Sequence, residues 1–195
     1  MRVVRITIAG VRRLLFLAFV FILSACATPP AIQGSAGEEA FSRSGRFAVN
    51  VDDVGNPPQA VQGGFAWYDT GHKLVLDLAN PLGSTLARVE VYAGKAILTR
   101  ADGSTQEAAN ADALVAQVVG ADIPVSGLRA WLKGNIDRAV ARDVKTDAQG
   151  KVAGFSQQGW VVVLSRHDAQ GPRLLQLSRK EGLRTISVRL VIDAS

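Results

Sequence analysis

From Ser44 onward the apolar residues fall on every second position. That period is the mark of a half-buried β-strand. Phe47, Val49 and Val51 alternate with Arg46, Ala48 and Asn50, and a turn-rich cluster runs from Asp52 to Pro58. The next stretch puts Val61, Gly63, Phe65 and Trp67 on one face. After Gly71, Leu74, Leu76 and Leu78 alternate with Lys73, Val75 and Asp77. Thr85, Ala87, Val89 and Val91 then stand against Arg88 and Glu90, and Gly94, Asp102 and Gly103 punctuate two more short strands. Short strands in succession, joined by tight turns, predict an antiparallel meander.

The period then changes. Asn110 can cap a short helix with Ala111, Leu114, Val115 and Val118 on one side, ending at Gly120. A second helix is expected near Ser126, where Leu128, Trp131 and Leu132 fall at helical spacing and Gly134 closes it. Strands resume from about Ala139, with Gly150, Gly159, Gly171 and Gly182 at the turns. Trp160-Val161-Val162-Val163-Leu164 is apolar on both faces, so it should be covered on both sides. The last strand sets Ile186, Val188, Leu190 and Ile192 against Ser187, Arg189 and Val191. Before the first strand, Glu38 to Phe41 reads as a helical turn. The expected fold is mainly β (α+β): one curved antiparallel sheet, with two short helices covering its concave apolar side.

The chain begins with a leader. Arg2, Arg5, Arg12 and Arg13 precede an apolar run from Leu14 to Leu23, and small residues follow. That is the layout of a secretory signal. The run is too short to span a bilayer comfortably, which takes roughly 20 apolar residues. The leader ends Leu23-Ser24-Ala25-Cys26, with the one cysteine of the sequence, and this resembles the lipobox of bacterial lipoproteins. The resemblance implies cleavage before Cys26 and acylation of that residue. It divides the chain into a signal peptide (1–25), an acylated cysteine with a flexible Pro- and Gly-rich tether (26–37) and a single domain (38–195). In Gram-negative lipoproteins an aspartate after the cysteine often signals retention in the inner membrane; Ala27 stands here instead, which by that family rule favours the outer membrane.

The leader also explains the net charge of +5, because it holds four of the 22 Lys and Arg and none of the 17 acidic residues. The remainder is close to neutral and carries no case for a nucleic-acid surface. One cysteine allows no internal disulfide, so the core must rest on apolar burial.

Chemistry is sparse. His72 and His167 each sit in an expected exposed turn, with no cluster near either in sequence, so neither suggests a metal or a catalytic base. Ser156 and Ser165 lack a nucleophile elbow. Asp52 and Asp53 are neighbours on a strand and point to opposite faces. No phosphate-binding glycine loop is present, and Gly63-Gly64 within a strand reads as a bulge or a sharp coil of the sheet. No enzyme, metal or cofactor is expected. Trp67, Trp131 and Trp160 fall in three segments on inward faces. They could fill a core or line a cavity, and sequence does not separate the two. Asn80-Pro81-Leu82-Gly83 is turn chemistry, but a leucine at a hairpin tip gains nothing from water. Leu82 either folds back onto the domain or is an apolar finger offered to a membrane or partner.

Several motifs together resemble the LolB family of outer-membrane lipoproteins. They are Ser44-Gly45-Arg46-Phe47-Ala48, Phe65-Ala66-Trp67, Asn80-Pro81-Leu82-Gly83-Ser84-Thr85, Ile123-Pro124-Val125, Leu128-Arg129-Ala130-Trp131-Leu132-Lys133-Gly134 and Phe155-Ser156-Gln157-Gln158-Gly159-Trp160. The chain departs at its end, where Ile192-Asp193-Ala194-Ser195 replaces the family's frequent terminal tryptophan. The resemblance implies an unclosed antiparallel half-barrel with helices in its mouth and an apolar cavity for the acyl chains of a lipoprotein. Candidate lining residues are Phe47, Val49, Phe65, Trp67, Leu76, Leu78, Leu128, Trp131, Leu132 and Trp160. It further implies a monomeric receptor anchored in the outer membrane through Cys26 and facing the periplasm. Such a receptor takes acylated cargo from the periplasmic carrier LolA and passes it to outer-membrane phospholipid, with Leu82 acting in the transfer. Arg46, Arg88, Arg129 and Lys133 are candidates for a basic carrier contact, or simply solvated charges. A scaffold lipoprotein with a filled core is the alternative.

Overall fold

The computed structural model describes residues 40–119 and 122–194; the leader, Cys26 and the tether lie outside them. Among the described residues eleven strands form one antiparallel sheet. They are β1 (Phe41–Asp53), β2 (Gln59–Asp69), β3 (Leu74–Ala79), β4 (Thr85–Tyr92), β5 (Lys95–Arg100), β6 (Thr105–Ala108), β7 (Arg142–Thr146), β8 (Val152–Gln157), β9 (Trp160–Ser165), β10 (Leu174–Glu181) and β11 (Arg184–Ile192). Helices α1 (Ala111–Val119) and α2 (Val125–Trp131) lie between β6 and β7 in sequence. The strand order is β6-β5-β4-β3-β2-β1-β11-β10-β9-β8-β7. Its two outer strands, β6 and β7, are not paired with each other, so the barrel is unclosed.

The sheet joins two meanders along β1. That strand pairs with β2 on one side and with β11 on the other, so the first and last strands are neighbours. Phe65 and Trp67 of β2 share one apolar cluster with Phe155 of β8 and Val162 of β9, strands far removed in the order. Only a strongly curved sheet brings them together. Glycine permits the curvature at two places. A Cβ on Gly45 would overlap the carbonyl oxygen of Val191, and one on Gly63 would overlap that of Ala79. Pairing of β1 with β2 runs unbroken through Gly63 and Gly64, so these residues mark a coil of the sheet and no bulge. Register shifts fall at Leu78/Ala79, between β3 and β4, and at Arg142/Lys145 and Lys145/Thr146, between β7 and β8.

The helices cover the sheet as expected. Asn110 Oδ1 accepts the Ala113 N–H at 2.8 Å and caps α1. Leu114 of α1 packs on Val89 and Leu98. In α2 the inward residues are Val125, Leu128 and Trp131, and Gly134 takes a φ of 73° just beyond it. The two helices are tied by Asp112, whose Oδ1 accepts the Ser126 N–H at 2.8 Å.

Four local expectations differ. Phe41 opens β1, paired with Asp69, so the strand starts before Ser44 and Phe41 belongs to no helical turn. Strands resume at Arg142, because Asp137 turns the chain by accepting the N–H groups of Ala139 and Ala141. The outer face of β9 is open, with Val161 51% and Val163 44% exposed. Both described helices lie on the other face, and β-branched residues suit a strand without cover. His167 is also not an exposed turn residue: its side chain is 8% exposed, with Nδ1 3.7 Å from Asp147. His72 is exposed as expected.

Gly63→Ala should lower stability by about 2–3 kcal/mol, since backbone must move to admit the methyl group. Gly64→Ala meets only ordinary contacts at 3.7 Å and beyond, and should change stability by less than about 0.5 kcal/mol. Urea unfolding of both variants checks the pair.

Candidate functional site

Alternation along the strands sends one set of side chains to the concave side. All ten candidate lining residues meet there in a single apolar cluster. Phe65, Trp67, Leu128, Trp131, Leu132 and Trp160 are buried, while Phe47, Val49, Leu76 and Leu78 are half-buried. Trp131 anchors α2 in this cluster and meets the Phe155 ring edge-on, with centroids 5.3 Å apart. The apolar interior is therefore occupied by α2 at its centre. It is less covered on β1 and β3, where Leu78 lies two residues before the turn at Asn80. A cleft of about 320 Å³ between α1 and the β9–β10 region is lined by Asn110, Asp112, Ile123, Pro124, Trp160 and Arg179. Its mixed polar lining does not suit a hydrocarbon chain.

The turn between β3 and β4 is rigidly built. Asn80 Oδ1 accepts the N–H groups of Leu82 and Ser84, each at 3.0 Å. The Asn80 backbone closes the loop by donating to Ser84 O and accepting from Gly83 N, both at 2.9 Å. Gly83 supplies a φ of 90° that a side chain would resist. The outcome is a leucine held out from the domain, 92% exposed. Leu82 does not fold back.

Two arginine–carboxylate clasps hold the opposite end. Arg129 of α2 donates through Nε and Nη2 to the carboxylate of Asp69, and Nη2 also reaches Gly71 O at 2.8 Å. Asp69 is nearly buried, which favours its neutral form, yet the Arg129 hydrogen bonds and the Gly71 N–H hold its pKa below the ordinary value. Arg43, reaching in from β1, donates from Nη1 and Nη2 to both oxygens of Asp168 at 2.7 and 2.8 Å. That pair, with the N–H groups of Gln170 and Gly171, holds the Asp168 carboxyl well below the usual carboxylate range. The loop bearing Asp168 lies tightly under α2, where a Cβ on Gly171 would overlap Leu132 O. Both clasps thus fix α2 and its following turn to the sheet.

The four candidate basic contacts do not form one surface. Arg46 is exposed on the outer face of β1, and Arg88 is paired with Asp77 on the outer face of β4. Arg129 belongs to a clasp, and Lys133 Nζ sits 4.9 Å above the Phe41 ring. Asp69, Arg43 and Asp168 were not legible as a group in the sequence, because 60 to 125 residues separate the partners.

The model for the family described as outer membrane lipoprotein LolB matches residues 39–194. This chain belongs to the LolB family. A relative from Bordetella petrii, named outer-membrane lipoprotein LolB, is 50% identical over 173 residues, 88% of this chain and 87% of its own length. One of the same name from Bordetella pertussis is 51% identical, covering 88% and 86%. One from Cupriavidus necator is 35% identical, covering 88% and 90%. The match to the LolB model takes in the half-barrel, both helices, the Leu82 turn and both clasps.

Because both carboxylates have depressed folded-state pKa values, the clasps contribute fully above the unfolded value near 3.8 and are lost as pH falls through the lower folded values. Asp69→Asn should lower stability at neutral pH by about 2–3 kcal/mol, at the low end for breaking such a pair because Arg129 keeps a third of its side chain in water. It should also flatten the loss of stability as pH falls below about 4. Urea midpoints across that range test both, and an unchanged midpoint at pH 7 would count against the clasp.

Proposed function

We propose that this protein is the outer-membrane receptor that accepts acylated lipoproteins from the periplasmic carrier LolA and passes them into the bilayer. The observation that carries the reading is Leu82, 92% exposed on a rigid turn beside a half-covered apolar interior, in a chain of the LolB family. Acyl chains in water cost about 0.8 kcal/mol per exposed CH₂, so a cargo with several chains must pass from one cover to a better one. The concave cluster supplies that cover. Phe47, Val49, Leu76 and Leu78 are the first apolar residues a chain would meet, and Leu128, Trp131, Leu132 and Trp160 lie deeper. A chain that goes further displaces α2 from Trp67 and Phe65. Transfer of this kind runs downhill from carrier to receptor to membrane, and the protein performs no chemical conversion.

The remaining assignments follow from the same reading. Residues 1–25 are the leader, Cys26 carries the lipid anchor and 27–37 are the tether of a domain from 38 onward. The anchor places a monomeric domain on the periplasmic side of the outer membrane. Leu82 then serves the bilayer and not the carrier: as the most exposed apolar side chain described, it is shaped to enter lipid when the cargo leaves.

Leu82→Glu should leave acceptance of cargo from the carrier unchanged and cut insertion into liposomes about tenfold or more. Incubation of the variant with a carrier–cargo complex, followed by liposome flotation, separates the two steps. Normal insertion would sink the role given to Leu82.

A further inference from the structure

Leu82 has company. Among the described residues the three most exposed large apolar side chains are Leu82 at 92%, Leu183 at 71% and Val54 at 70%. Each sits on a turn between consecutive strands, and the register puts all three turns at one end of the sheet. β1 runs toward Val54 and β3 toward Leu82, while β11, antiparallel to β1, starts beside Leu183. The Val54 N–H donates to Leu183 O at 3.3 Å, so these two tips touch. The turns at the other end are Thr70–Lys73, Ala93–Gly94, Asp147–Lys151 and Arg166–Pro172, and none carries a large aliphatic side chain. Three of the five described turns at one end carry an apolar tip, the exceptions being Ala101–Ser104 and Gln158–Gly159, and none of the four at the other end does, a vectorial arrangement that folding alone does not require.

The tips are held out by their turns. Gly55 has a φ of 90°, and Asn56 closes that turn by donating to Asp53 O and Oδ2, both at 3.0 Å. Glu181 pairs with Arg184, so Gly182 and Leu183 alone make the β10–β11 connection, with Gly182 at a φ of 61°. A two-residue hairpin of this kind normally carries a polar second residue.

We infer that Val54 and Leu183 form a second insertion point beside Leu82, and that together they make a membrane-contacting rim around the open end of the half-barrel. The occupant is a phospholipid bilayer. Separate fingers on polar shafts match a fluid interface that yields to each tip, whereas a protein partner needs a closely packed, shape-complementary contact around them. The charges beside the tips balance, Asp52, Asp53, Asp102 and Glu181 against Arg100, Arg179, Lys180 and Arg184, so the rim is not drawn to anionic lipid. Contact through two points would also set the tilt of the barrel, with its half-covered interior facing the lipid that receives the cargo. This inference rests on the membrane role of Leu82 and extends it to two residues the turn motif does not include.

The test uses the full lipid-anchored protein in phosphatidylcholine vesicles, where the Cys26 thiol is taken by the anchor. Val54→Cys, Leu82→Cys, Leu183→Cys and, at the opposite end, Gln149→Cys are labelled singly with a polarity-sensitive dye, and nitroxide lipid is the quencher. Labels at 54, 82 and 183 should be quenched at least about twofold and the label at 149 left unchanged. Quenching at 82 but not at 54 and 183 overturns the rim and leaves the Leu82 reading intact. Quenching at none of the three overturns both. Protection of 54 and 183 only after carrier protein is added also overturns the rim, by making those tips a protein-docking surface. As an independent readout, a Val54→Glu, Leu183→Glu double variant should take up cargo normally and insert it about tenfold less efficiently; unchanged insertion would contradict the inference.

Discussion

The pairing of β1 on both edges carries the rest of the structure. Nine of its residues are in register with β11 and eleven with β2, so one strand holds together an amino-terminal and a carboxy-terminal meander. β1 and β11 are the first and last strands described, so this pairing closes the longest loop in the fold. Loop closure of that kind is costly and slow, and is rewarded only when the contacts it makes are numerous. Phe47, Val49 and Val51 of β1 provide the reward, facing Leu190, Val188 and Ile186 across the seam.

A single curved sheet buries only one face, and the function proposed here depends on that limit. The concave face must be covered by something, and α1 and α2 are the described elements that cover it. The cover is uneven. At one end two arginine–carboxylate clasps lock α2 and the Asp168 loop to the sheet. Toward the other end Phe47, Val49, Leu76 and Leu78 are half-exposed and the turns bear apolar tips. Charge and hydrogen bonds therefore secure the end that stays shut, and dispersion and apolar burial govern the end where hydrocarbon could enter. Apolar contacts can be exchanged for contacts with an acyl chain at small net cost, whereas an arginine–carboxylate pair cannot be exchanged for lipid without leaving a charge unpaired.

Much of this was legible in local pattern. The period of two identified β1 to β4 and β11, and the spacing of Leu128 and Trp131 identified α2, because each inward face must present an apolar stripe at its own period. Asn110 was recognisable as a cap because its chemistry is local. Reading failed where neighbours in space decide. Trp160 to Leu164 carries the apolar signature of a strand covered on both sides, yet no described element lies over Val161 and Val163. His167 is in a turn, as its sequence context suggests, but Asp147 and the Arg43–Asp168 clasp draw that turn against the domain. Arg129 resembled a solvated charge until Asp69 was found opposite it.

By itself the sequence determined most of the strands, the helices and the chemistry of the Leu82 turn, since all of these depend on residues within a few positions of one another. It left two matters open: whether the three tryptophans fill a core or line a cavity, and whether Leu82 points inward or out. Tertiary structure decided both. Trp67, Trp131 and Trp160 share one cluster because the sheet coils far enough to bring β2 and β9 together around α2. Leu82 stays in water because Asn80 and Gly83 tie the turn to itself, leaving the leucine no route back to the core. The pairing of β1 with β11 places Val54 and Leu183 beside each other at that end, a proximity that no local spacing in the chain encodes.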